Sequence, residues 1–140
     1  MTKRFASLAL RYGCLALCCG VFYREFTKYH GFCGQTSLLS LHVHYFTLGM
    51  LFFLFLALAE NAFGFSAQKT AQLLPFYRAG LNLSALGFLL RGLVQVQNAQ
   101  PGEFAGALFA GISGFGHILL GVSLVLILME ICKAAGKAGS

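Results

Sequence analysis

Four stretches of this chain, at about residues 5–23, 37–59, 73–94 and 104–131, each approach the roughly 20 apolar residues that a helix needs to cross hydrocarbon. A helix satisfies its own backbone hydrogen bonds, which is what that solvent demands. Of the 140 residues, 58% are hydrophobic and 10% charged, whereas a soluble domain carries about a quarter charged. The chain therefore reads as one integral membrane domain, residues 1–140, all-α. Residues 27–36 contain two glycines, residues 60–72 are amide-rich, and residues 95–103 hold Pro101-Gly102. Pro101 suits the first turn of the last helix. Such short connections make neighbouring helices antiparallel, giving an up-down four-helix bundle. There is no internal repeat, and low complexity is confined to residues 133–140.

The net charge is +6, but the basic residues are scattered. That pattern fits membrane topology and anionic headgroups, and it excludes a nucleic-acid surface. With the N-terminus inside, Lys3, Arg4, Lys69, Arg78, Lys133 and Lys137 lie on the cytoplasmic side. Arg24, Lys28 and Arg91 then lie outside, and Arg11 is buried in the first helix. Six basic residues against three predict N-in and C-in, a multi-pass protein of the inner (cytoplasmic) membrane. The apolar start is no signal peptide, because Arg11 interrupts it and no small-residue cleavage site follows. Fifteen Phe and no Trp leave the interfacial aromatic role to Tyr12, Tyr23, Tyr29 and Tyr77.

Histidines interrupt two of the spans. His42 and His44 lie in the outer half of the second, and His117 lies near the middle of the fourth. A histidine in hydrocarbon costs about a few kcal/mol unless it finds a partner. Imidazole is also a common axial ligand of haem iron. Arg24 and Arg91 end the first and third spans on the same face, where guanidinium groups can neutralise haem propionates. His117 sits on a stripe of small residues, Gly106, Ala110, Ser113, Gly114 and Gly121. Such a stripe leaves a slot for a neighbouring helix or for a flat macrocycle. His42 and His44, about 200° apart around a helix, cannot face one site. His44 shares its face with Ser37, Ser40 and Thr47, and is the favoured ligand; His42 shares its face with Leu38, Leu39, Tyr45, Phe46 and Gly49. His42 is left for lipid headgroups, a second site or another subunit. His30 reads as a solvated loop residue.

The remaining polar residues have bland readings. Arg11, Arg78, Glu60 and Glu130 fall near the inner boundary and can snorkel or pair with one another. Glu25 and Glu103 can pair with Arg24 and Arg91. Asn82 and Ser84 are placed for interhelical hydrogen bonds. The five cysteines contain no CxxC motif. Most read as small hydrophobes, although Cys14 and Cys18 share a face that suits Cu(I). No Ser-His-Asp, paired-carboxylate or phosphate-loop arrangement is present, so binding is favoured over catalysis.

The runs Gly20-Val-Phe-Tyr-Arg-Glu-Phe-Thr-Lys28, Leu41-His-Val-His-Tyr-Phe-Thr-Leu-Gly-Met50, Arg91-Gly-Leu-Val-Gln-Val96 and Ser113-Gly-Phe-Gly-His-Ile-Leu-Leu-Gly121 resemble a family of small four-helix bacterial membrane proteins. That family has long been catalogued as a domain of unknown function. It resembles the haem-sensing membrane proteins of anaerobic Firmicutes, which sequester haem and protect against oxidative stress. The resemblance implies a haem role for His42, His44, His117, Arg24 and Arg91.

The leading expectation is a membrane protein that binds haem b between the second and fourth spans through His44 and His117, with Gly114 and Gly121 beside it. It sequesters haem or transfers electrons. The expected partners are the bilayer and haem, with a second copy of the chain or a redox partner left open. Three rivals remain. One is a haem or quinol redox enzyme using His42 or Tyr45. Another is a copper or other metal-ion binder or transporter using His42, Met50, Cys14 and Cys18. The third is a structural subunit of a membrane complex.

Overall fold

The computed structural model describes residues 1–66, 68–99 and 102–138, and among these it contains helix and no strand. The first span is α1 (Thr2–Tyr29). The second is one rod in three parts: α2 (Ser37–His44), a π-helical stretch (Tyr45–Leu51) and α3 (Phe52–Phe63). The third is α4 (Gln68–Val96) and the fourth α5 (Glu103–Ala138). Residues 27–29 and 68–72, expected in connections, are helical: these polar ends continue the backbone ladder beyond the apolar core of each span. Pro101 lies outside the described residues.

Each span is long and apolar enough to cross a membrane. Yet only 22% of the most apolar window of the fourth span, and 39% of that of the third, is buried inside the bundle. Leu10, Leu17, Leu58, Phe115 and Ile118 all point outward. Outward faces this continuous in apolar side chains are covered by hydrocarbon. The chain is a multi-pass, all-helical membrane protein.

α1 packs along the second span, α4 lies against α2, and α5 runs along α4, touching α3. The α4–α5 seam is closed by small residues. A Cβ added at Gly80 would meet the Leu120 backbone nitrogen at 2.5 Å, and one at Gly87 would meet Ser113 Cβ at 2.6 Å. The loop between α1 and α2 is tied down by Thr36. Its hydroxyl accepts from the Leu38 N–H at 3.4 Å, as a helix N-cap, and donates to the Gly92 carbonyl at 3.1 Å. The Ser37 N–H donates to Gln95 Oε1 at 2.7 Å. These bonds fix the start of the second span to the end of α4.

Several expectations are corrected here. Tyr12 and Tyr77 are core residues, 6% and 0% exposed, because each hydroxyl finds a partner inside the bundle. Arg11 is exposed rather than buried, since its long stem carries the guanidinium out of the helix face. Among the described residues, Arg11, Arg78, Glu60 and Glu130 form no ion pair with one another. Glu60 is taken by the Met1 amine, at 3.7 Å, and by the Ser66 N–H and hydroxyl. Glu130 is taken by Lys69 and Lys133, at 3.4 and 2.9 Å. Asn82 does bond between helices, to Tyr45 and Tyr12, but the buried Ser84 hydroxyl has no hydrogen-bond partner because Gly116 is packed against it.

Candidate functional site

His44 ends α2 and His117 lies midway along α5, and the fold brings their rings together. The centroids are 5.6 Å apart and the ring planes meet at 80°. Phe88 of α4 lies edge-on to both, 4.7 Å from His44 and 5.4 Å from His117. The cluster therefore joins α2, α4 and α5.

Each ring is oriented by its own helix. His44 Nδ1 lies 2.9 Å from the Ser40 carbonyl, and His117 Nδ1 lies 2.7 Å from the Ser113 carbonyl, four residues earlier in each case. A carbonyl can only accept, so both Nδ1 atoms carry the proton. That leaves the two Nε2 atoms as the ring positions able to meet a metal. His44 is half-buried and His117 exposed. Two imidazoles facing each other across one metal ion at about 2 Å place their centroids about 6 Å apart. The observed centroid spacing of 5.6 Å is close to that.

The small-residue stripe of α5 divides into two. Ser113 packs into α4 at Gly87. Gly106, Gly114 and Gly121 do not: a Cβ on any of them would meet nothing within 4 Å. Gly116 instead matches Gly80 as a tight point of the seam, an added Cβ lying 2.5 Å from the Ser84 nitrogen by the same measure, and it is a residue the spacing argument passed over. Gly106, Ala110, Gly114, His117 and Gly121 thus form an open face beside the histidine pair. At the Glu103 end of α5, Gly106 and Ala110 line a cavity of about 310 Å³ with Arg91, Gln95 and Phe109. Seven residues of helix separate Ala110 from His117, a rise of about 10 Å.

The other candidates lie elsewhere. His42 faces α1, with Nδ1 2.7 Å from the Ala16 carbonyl and its ring against Gly20. Arg24 is exposed and pairs with its neighbour Glu25 at 3.4 Å. Arg91 is exposed and, among the described residues, forms no ion pair with Glu103. His30 is exposed, its Nδ1 bonded to the Phe26 carbonyl at 3.0 Å. Met50 packs on Gly13 with Cys14 nearby, whereas Cys18 and Cys19 line a separate cavity of about 620 Å³ with Tyr45 and Asn82. Sequence reasoning missed Phe88, whose aromatic character is ordinary in a chain with fifteen Phe.

Among the described residues, no three His, Cys, Asp or Glu side chains gather closely enough to hold a metal ion. A bare ion bound by protein alone needs about four donors. The His44–His117 pair could supply two of them.

No curated protein and no solved structure matches the chain. A family model covers residues 1–134, nearly the whole length. The chain belongs to the family described as protein of unknown function (DUF2871).

Proposed function

We propose that this protein binds haem b in the outer half of the bundle, between α2 and α5, and serves haem sequestration or electron transfer rather than substrate turnover. The observation that carries the reading is the His44–His117 pair, 5.6 Å apart with both Nδ1 atoms committed to backbone carbonyls. In this reading His44 and His117 are the axial ligands. Gly114 and Gly121 leave room on the α5 face for a flat group. Arg91 of α4 lines the cavity that Gly106 and Ala110 of the same α5 stripe also line, and is the candidate to receive a propionate. Arg24, already paired with Glu25, is the lesser candidate. Haem held by two imidazoles supplies a one-electron redox centre. Phe88 packs against both rings and limits water at the site.

The bias of basic residues orients the protein N-in and C-in in the cytoplasmic membrane.

The test is an absorption spectrum of detergent-purified protein from haem-replete cells, oxidised and dithionite-reduced. A low-spin, six-coordinate spectrum is expected. A sample without a Soret band would end the proposal, and a high-spin spectrum would remove one of the two ligands.

One observation favours a second reading, a quinol-type redox enzyme. Tyr45 donates to Asn82 at 3.3 Å at the edge of the 620 Å³ cavity, and Asn82 reaches the Tyr12 hydroxyl at 3.5 Å. A spectrum that changes on adding a quinol would favour it.

A further inference from the structure

At the opposite end of the bundle Arg4, Ser7 and Arg11 lie on one face of α1, at helical spacings of three and four. With Leu8, and with Arg78 from α4, they line a cavity of about 320 Å³. Three arginines therefore line one cavity. The chain has four carboxylates to offer them. Glu25 is paired with Arg24, Glu60 with the Met1 amine and Ser66, and Glu130 with Lys69 and Lys133. Glu103 begins α5, at the end of the bundle where α4 finishes rather than where Arg78 stands. The Nε of Arg78 is buried with no hydrogen-bond partner.

A buried guanidinium donor without an acceptor is costly, and two more cations in the same groove add repulsion. Both are relieved by an anion with several acceptor oxygens. Phosphate fits best, because the planar fork of Arg matches its oxygens in pairs and the Ser7 hydroxyl adds a further donor. The depth also fits. Arg11 and Arg78 stand about 15 Å from the N-terminal ends of their helices. Helical side chains lean back toward that end, so the charged heads gather near the headgroup layer.

We propose that Arg4, Ser7, Arg11 and Arg78 form a binding site for a phosphate group, carried either by an anionic lipid or by a soluble phosphate. The proposal does not depend on haem.

Two arms separate the sources. Full-length protein is placed in phosphatidylcholine nanodiscs with and without phosphatidylglycerol, and retained lipid is counted by native mass spectrometry after release. In parallel, detergent-solubilised protein is titrated with inorganic phosphate against chloride at equal ionic strength, with thermal unfolding as readout. Preferential retention of phosphatidylglycerol without a phosphate response assigns the site to lipid. A saturable phosphate response assigns it to a soluble anion. In either case Arg4→Gln and Arg78→Gln should weaken binding about ten- to hundredfold, the usual loss for one charge-assisted bond, while Lys3→Gln should not. Arg4 is exposed, so its variant folds even where the Arg78 variant fails. With neither anion present, Arg11→Gln should leave the unfolding temperature unchanged or raised, because repulsion is relieved. No response to either probe, equal binding by the Arg4 variant, or a lower anion-free unfolding temperature in Arg11→Gln would overturn the proposal.

Discussion

Gly116 lies so close to α4 that a Cβ at this position would stand 2.5 Å from the Ser84 backbone nitrogen and 3.0 Å from the Gly80 carbonyl oxygen. Neither atom belongs to a side chain that can turn away, so the helices themselves must part. Gly116→Ala is expected to destabilise the haem-free bundle by about 1–3 kcal/mol, the usual range for overpacking. Thermal unfolding in detergent measures it. Gly114→Ala, two residues earlier and facing open space, should be nearly neutral in the same assay.

Gly114 also tests the open face. Gly114→Leu should fold normally yet lose haem, since its side chain would occupy the space beside His117. Equal haem retention in Gly114→Leu and the parent would move the macrocycle off this face.

The histidines should separate by role. His44→Ala and His117→Ala should each abolish the low-spin spectrum. His42→Ala should keep a bound Soret band and instead lower bundle stability by about 0.5–1.5 kcal/mol, the net value of its bond to the Ala16 carbonyl. Loss of haem in His42→Ala with retention in His44→Ala would reverse the assignment.

Arg91→Gln is expected to lower haem affinity about ten- to hundredfold, the loss of one charge-assisted bond. Arg24→Gln should change it little, because an exposed ion pair such as Arg24–Glu25 is worth at most about 1 kcal/mol. Titration of haem into apo-protein gives both values, and an unchanged affinity in Arg91→Gln would reject the propionate role.

Tyr77 donates to the Leu48 carbonyl at 2.7 Å, inside the π-helical stretch. That carbonyl lies at membrane depth, where water is absent. Tyr77→Phe should cost about 1–3 kcal/mol, the penalty for orphaning a buried acceptor, in the unfolding of haem-free protein.

How much of this was legible in the sequence follows from which signals are local. Four apolar segments of spanning length mark four helices, because hydrocarbon admits little else. That His42 and His44 face different neighbours was readable from their angle of about 200° around a helix. The seam between α4 and α5 was not. Gly80, Ser84 and Gly87 meet Ser113, Gly116 and Leu120 only once the two helices are docked, and a stripe of glycines does not say which of its members face the neighbour. Tyr12 and Tyr77 were misplaced at the interface because their hydroxyl partners, Asn82 and the Leu48 carbonyl, are remote in sequence or belong to an irregular backbone. The arginine groove was hidden for the same reason: Arg78 is 67 positions from Arg11 in the sequence.

The π-helical stretch between His44 and α3 has a further consequence. A π turn holds one residue more than the α turn it replaces, and each helical residue advances by about 100°. The second span is therefore written in two phases. Above residue 45 the phase aims His44 at α5 and His42 at α1; below residue 51 it aims Phe53 and Leu56 into the core. Removing any one residue from Tyr45–Leu51 would restore an unbroken α-helix and turn the histidines about 100° away from their partners while α3 stayed docked. The single inserted residue is the spacer that lets one rod serve a packed core at one end and a pair of imidazoles at the other.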